Sequence, residues 1–379
     1  MSITTGNIEI FKQHILSSKQ YAGGATRGES KQKSSAEKVY KLSSNENLLG
    51  PSPKALEAIR KNLHLLHEYG YQGDEKLRHS LSEYFQMQLR PEQFITANSG
   101  MELLELIVRG FLDPGLECIF CPPTFKAYKN FSNLQGGKAV EVPLKGKNFD
   151  LDADGILNAV NENTRIVFLN TPNNPTGTIF PASALEELTE HLPKHVILVY
   201  DEVYWHYVDD ADFPRAIDYI KRGKNVIGLH SFSKAYGLAG LRLGYAFSTP
   251  EISSYLNRIR RPFMINTLTM EAGLAALRDD EHICATKKII SEEKPWLYRQ
   301  FDRLDITYWK SQANFIFFQS PVPNEISVPR MLELGIMIRP AEAFGAEGCI
   351  RVTIGTHDAN MAFINALEKI MNENKTTTE

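Results

Sequence analysis

The chain has 379 residues, more than one compact core usually holds, so two lobes are expected. A hydrophobic content of 42% and a charged content of 23% are those of an ordinary globular protein and exclude a disordered chain. A formal net charge of −3 with no long basic run gives no footing for nucleic acid or a membrane as partner, and no apolar run reaches the ~18–20 residues of a spanning helix.

The opening MSITTGNIEIFKQHILSSKQ lacks a cationic start followed by an apolar block, so no signal peptide is expected and the compartment is read as cytoplasmic. Residues 22–38 are small, polar and charged, which suits a mobile loop or an early arm. PSPKALEAIRKNLHLL has proline near its start and apolar residues at helical spacing, and DEKLRHSLSEYFQMQL repeats the pattern with acids in its first turn. Short, nearly continuous apolar runs follow: FITAN, CIFC, RIVFLN, VILVYD, NVIGLHS and LGYAF. Helical segments such as MELLELIVRGFL and PASALEELTEHL separate several of them. Strands apolar on both faces, alternating with helices, predict a parallel sheet covered on both sides. Cys118 and Cys121 form one C-x-x-C with no second pair to complete a zinc site, so no metal is expected and LECIFCPP reads as a buried strand. Four cysteines in this length do not make a disulfide framework. Beyond about residue 262 a long helical stretch leads to ANFIFFQS, GIMIRP and CIRVTIG, strand-like runs of a smaller α+β lobe. The expected division is a large lobe over 45–261, with 1–44 and 262–379 forming an arm and the small lobe.

In parallel sheets ligands bind at the carboxyl ends of the strands, and the polar residues of interest fall there. Lys234 sits in HSFSKAYGLAGLRLGYAF, eight positions before Arg242, among apolar neighbours. A desolvated lysine keeps a neutral amine that can form a Schiff base with a carbonyl. Asp201 closes VILVYD; it suits a helix cap, an ion pair, or the partner of a pyridinium nitrogen. Tyr204 can present a phenol to the same ring. NTPNNPTG is built of turn formers, yet it follows a buried strand directly, and an asparagine amide there can donate to a phenolate. Ser99 and Gly100 start a helix, whose amides suit a phosphate, and Ser231, Ser233 and Arg242 complete a phosphate cup. Together they describe a site for pyridoxal 5′-phosphate.

In order, NSGMEL, CPPTF, NTPNNPTG, YDEVY and SFSKAYGLAGLRLGY resemble the fold type I aminotransferases, most of all the histidinol-phosphate aminotransferases. LSSNENLLGPSPKALEAI and CIRVTIGT strengthen the resemblance, which covers roughly residues 42 to 370. It implies an aspartate-aminotransferase-like α/β fold whose large lobe binds the cofactor. It also implies an amino group moved between an amino acid or amino-alcohol phosphate and a 2-oxo acid such as 2-oxoglutarate. Residue by residue it gives Lys234 the Schiff base and proton transfer, and Asp201 the pyridinium nitrogen. Asn174 and Tyr204 take the phenolic oxygen, and Phe125 stacks on the ring. Gly100, Met101, Ser231, Ser233 and Arg242 surround the phosphate. In a homodimer with shared sites, Tyr69 or the nearby Tyr71 reaches the partner's phosphate. Arg351 binds the substrate's anionic end, with Arg339 as a second anion contact or an interface residue. RPAEAFGAEGCIR looks more like aminotransferases for ordinary amino acids, so a plain donor stays open beside a phosphorylated one. A threonine-phosphate-type decarboxylase shares nearly the same site. A cofactor-sensing lobe is disfavoured by the short stretch ahead of KLSSNENLLG, and a nicotinamide enzyme by the lack of G-x-G-x-x-G after the first strand.

Overall fold

The fold is that of a computed structural model, which describes residues 10–16, 28, 34, 36–70 and 74–378. Most of 22–38, and Tyr71, lie outside the described residues. In chain order the strands are β1 (Tyr40–Lys41), β2 (Phe94–Ala97), β3 (Glu117–Phe120), β4 (Lys138–Glu141), β5 (Thr164–Asn170), β6 (Ile197–Asp201), β7 (Val226–Ser231) and β8 (Gly244–Phe247). They continue with β9 (Tyr308–Trp309), β10 (Phe315–Gln319), β11 (Ile336–Met337), β12 (Arg339–Pro340) and β13 (Cys349–Thr353).

The main sheet has the order β2-β8-β7-β6-β5-β3-β4. All six apolar runs of the sequence become strands in it. Only β8 runs antiparallel to its two neighbours, so the sheet is mixed at one end. The strand without an apolar run is β4, an edge strand with only half-buried or exposed side chains.

Alternation along the strands separates the two faces. Leu198 and Tyr200 of β6 join one core with Val167, Leu169 and Ile119. Ile197 and Val199 join the other with Ile166, Phe168, Cys118 and Ile227, against the helix Gly100–Phe111. The same period carries Asn170, Asp201 and Ser231 onto that second face. Asn170 lies opposite Asp201 in the ladder, and Asp201 opposite Leu229. The fold thus delivers three polar side chains to one side of the sheet's carboxyl edge.

The remaining strands form an antiparallel sheet, β12-β13-β10-β9, and a parallel pair, β1-β11, which ties the segment after residue 39 to the C-terminal part. A third core surrounds β10 and β13, with Phe315, Phe318, Ile350 and Val352 packed on Phe301 and Phe363 of the helices Asp280–Arg303 and His357–Thr378. The helix Thr267–Ala276 places Ala272 and Ala276 in the first core, against the main sheet's side. Helix Pro53–Asn62 starts as its sequence predicts: Pro53 opens it and the Ser52 side chain accepts from the Ala55 amide.

Candidate active site

Where the two sheets meet, a cleft of about 320 Å³ opens at the carboxyl ends of β5, β6 and β7. Thirteen of the residues singled out in the sequence line it: Ser99, Gly100, Met101, Phe125, Asn174, Asp201, Tyr204, Ser231, Ser233, Lys234, Arg242, Arg339 and Arg351. Tyr69 does not. It is 84% exposed, with its ring 5.2 Å from that of Phe263.

Lys234 follows β7 and points its amine at the Ser44 carbonyl, to which Nζ donates at 3.1 Å. Burial, then the guanidiniums of Arg351 and Arg242, push this amine down to about 7, against the pull of Glu46 and Asp201. At neutral pH it is poised between amine and ammonium. Asp201 is buried, which pushes its carboxyl up to about 6, although two donors favour the ionised form. These are the Tyr128 hydroxyl, donating to Oδ2 at 2.8 Å, and the Val203 amide, donating to Oδ1 at 3.3 Å.

Asn170 links two of the walls. Its Nδ2 donates to the Asp201 carbonyl at 2.9 Å, and its Oδ1 accepts from the Asn174 amide at 2.8 Å. Asn174 in turn accepts at Oδ1 from Arg351 Nη1 at 2.5 Å, while Arg351 Nη2 donates to the Ser43 carbonyl at 2.6 Å. Asn45 Nδ2 donates to the Tyr204 hydroxyl at 3.0 Å. The segment Ser43–Glu46 therefore touches both the lysine and the arginine end of the cleft.

The third wall is a helix start. The first amides of Gly100–Phe111 have no intrahelical acceptor and carry the positive end of the helix dipole. The Ser231 hydroxyl accepts from the Ser233 amide at 3.0 Å, and Arg242 sits at the mouth with Nη1 donating to the Ala239 carbonyl. Gly244 is required here, because a Cβ on it would lie 2.8 Å from the Gly100 nitrogen. Of eight non-glycine residues with positive φ among the described residues, three line this cleft: Asn45 (54°), Ser99 (91°) and Arg242 (57°). Such backbone is costly and collects at working sites.

Sequence reasoning missed Tyr128 and the Ser43–Glu46 segment as site residues. Tyr128 lies one helical turn past Phe125, and a buried aromatic there reads as core; its ring does stack on Phe168 at 4.8 Å. The polar run SSNE after a strand-like YKL was the available signal for the segment.

The family model for aminotransferase class I and II matches residues 37–367. The histidinol-phosphate aminotransferase of Moorella thermoacetica is 37% identical over 361 residues, 95% of this chain and 92% of that one. That of Caldicellulosiruptor saccharolyticus is 35% identical over 362 residues, 96% of this chain and 100% of that one. Among solved structures, the histidinol-phosphate aminotransferase of Sinorhizobium meliloti in complex with pyridoxal-5′-phosphate superposes with a TM-score of 0.85 at 25% identity, covering 96% of this chain and 98% of that one. Thermus thermophilus aspartate aminotransferase shares the fold, with a TM-score of 0.82 at 23% identity over 96% of this chain and 99% of that one. Matched along nearly all its length, the chain belongs to the class I and II aminotransferases, as a histidinol-phosphate-type, pyridoxal 5′-phosphate-dependent transaminase of the aspartate-aminotransferase fold.

Proposed function

We propose that this transaminase uses Lys234 to hold the cofactor and to move the proton at the donor's α-carbon, and Arg351 with Arg339 to hold the donor's anionic end. The observation that carries this reading is a buried amine near 7 set in one cleft with a buried carboxylate and the two guanidiniums. An amine with that value both takes and returns a proton near neutral pH. The donor set of the cleft fits pyridoxal phosphate. Asp201 would face the ring nitrogen, Asn174 and Tyr204 the phenolic oxygen, and Phe125 the ring. The amides of Gly100 and Met101, with Ser231, Ser233 and Arg242, would hold the phosphate. The close approach at Gly244 suits backbone drawn tightly around that group. The bound cofactor supplies an electron sink for the bond that breaks.

The test is a panel of donors, L-histidinol phosphate and amino acids with uncharged side chains, assayed with 2-oxoglutarate for keto product and for carbon dioxide. Keto product without carbon dioxide is expected; carbon dioxide release would favour the decarboxylase. In the same panel, Arg351→Lys is expected to raise KM by about ten- to a hundredfold, because lysine keeps the charge and loses the two-pronged grip. The cofactor's absorbance should stay as in the parent. An unchanged KM across all donors would remove Arg351 from the substrate end.

We propose further that the enzyme is a homodimer with shared sites. Leu63, Leu66, Tyr69 and Phe263 are exposed apolar side chains, a surface that suits a second copy. Sedimentation should give a dimer at assay concentration, and Tyr69→Phe should weaken cofactor retention about tenfold; a cofactor-loaded monomer would contradict both. A cytoplasmic setting suits the four free thiols, and among the described residues no helix is long and apolar enough to cross a membrane. The division into 45–261 and 1–44 with 262–379 belongs to the same reading, with Thr267–Ala276 lying against the larger lobe's core.

A further inference from the structure

We infer that Phe344 is the positioning residue that sets the spacing of Arg339 and Arg351, and through it the preference of the cleft for a tetrahedral phosphate over a planar carboxylate. The inference rests on the reading of that arginine pair as the substrate's anion site. Arg339 and Arg351 are direct cross-strand partners on β12 and β13, so their side chains leave the same face of the sheet. Like charges placed opposite one another repel, and the arrangement needs something to hold it. Phe344 supplies it. Its ring lies 5.7 Å from the Arg339 guanidinium carbon and 5.3 Å from that of Arg351, a separation at which an aromatic face attracts a cation.

The two arginines depend on the ring unequally. Arg351 is also held by Asn174, by the Ser43 carbonyl and by the face of Phe315 at 5.4 Å. The Arg339 side chain has no hydrogen-bond or ion-pair partner among the described residues, and Phe344 is its one aromatic contact there. The ring itself is fixed. Phe344 is buried beside Phe317 and Ala341, and its carbonyl accepts from the Thr124 amide at 3.2 Å. The Thr124 hydroxyl donates to Asn173 Oδ1 at 3.1 Å, one residue from the Asn174 that grips Arg351. Phe344 is thus braced, through Thr124, against the loop whose Asn174 accepts from Arg351. One guanidinium suffices for the two oxygens of a carboxylate. A phosphate monoester has three free oxygens and engages both, so losing the platform under Arg339 harms the phosphate more.

The experiment uses the holoenzyme as parent, Phe344→Leu and Phe344→Tyr. KM and kcat are measured for L-histidinol phosphate and for an amino acid with an uncharged side chain, and inorganic phosphate is titrated as a competitive inhibitor. For Phe344→Leu, the ratio of the two KM values should move about tenfold against the phosphorylated donor, and inorganic phosphate should weaken by a similar factor. Phe344→Tyr, which keeps the aromatic face, should restore both. An unmoved KM ratio in Phe344→Leu, or a Phe344→Tyr enzyme that behaves like it, overturns the role. If the parent turns over no phosphorylated donor, the substrate reading has failed. The phosphate titration then decides the role of Phe344 alone: weaker inhibition in Phe344→Leu upholds it, and equal inhibition in all three overturns it.

Discussion

Lys234→Ala is expected to lose transaminase activity by about 10⁴-fold or more, with an unchanged circular dichroism spectrum. Among the described residues no other lysine lines the cleft, so none there would replace the proposed attachment or proton transfer. Borohydride reduction of the parent holoenzyme should fix the cofactor on the peptide containing Lys234, and a label on another lysine would refute the assignment. The depressed value of the amine gives a pH signature in the apoprotein. The neutral, nucleophilic form grows in as pH rises through about 7, instead of through the usual lysine range. The rate of cofactor recapture by apoprotein should therefore climb through neutrality and level off above it. The unfolded chain keeps this lysine charged up to about 10.4, so it binds more protons than the folded chain across that window. Apoprotein stability gains from Lys234 as pH rises from about 7 toward 10.4, and Lys234→Ala should lose that gain.

The second large effect is at Asp201. Asp201→Asn should lower kcat by on the order of 10²–10³-fold, because an amide cannot stabilise a protonated ring nitrogen as a carboxylate does. A variant within a few-fold of the parent would end the assignment. The stability of the apoprotein should move the other way. Burial holds the Asp201 carboxyl near 6, above its ordinary value. The folded chain then binds the proton that the unfolded chain has released, and the contribution present at low pH is lost as pH rises through about 6. Asn has no such titration, so Asp201→Asn apoprotein should be the more stable of the two above about pH 6, measured as a higher Tm. Loss of activity together with a gain in stability separates a functional carboxylate from a structural one.

The parts legible in the sequence are those with a local signature. Runs such as RIVFLN and VILVYD are apolar on both faces because helices cover both sides of the sheet, and their polar last residues mark the edge where the cleft forms. β4 escaped because an edge strand needs no such run: KAVE is half-buried or exposed throughout. Tyr128 escaped because its partner Asp201 lies 73 positions away, and nothing in AYKN separates a donor to a carboxylate from an ordinary core tyrosine. The separation of Arg339 and Arg351 in sequence says nothing of register. Only the pairing of β12 with β13 sets them opposite each other over one aromatic ring.

The two ends of the cleft differ in how far along the polypeptide their makers stand apart. Lys234 and Arg242 come from the single connection between β7 and β8, so closing one short hairpin brings them near each other. The grip on Arg351 joins residues 177 and 308 positions apart. Joining distant segments costs more chain entropy than closing a short loop, although the cost grows only slowly with length. Contacts of this kind wait until most of the chain has condensed. The order of assembly follows from that arithmetic: the Lys234 and Arg242 end of the cleft can be organised early, and the Arg351 end, which we propose holds the donor's anion, is completed last.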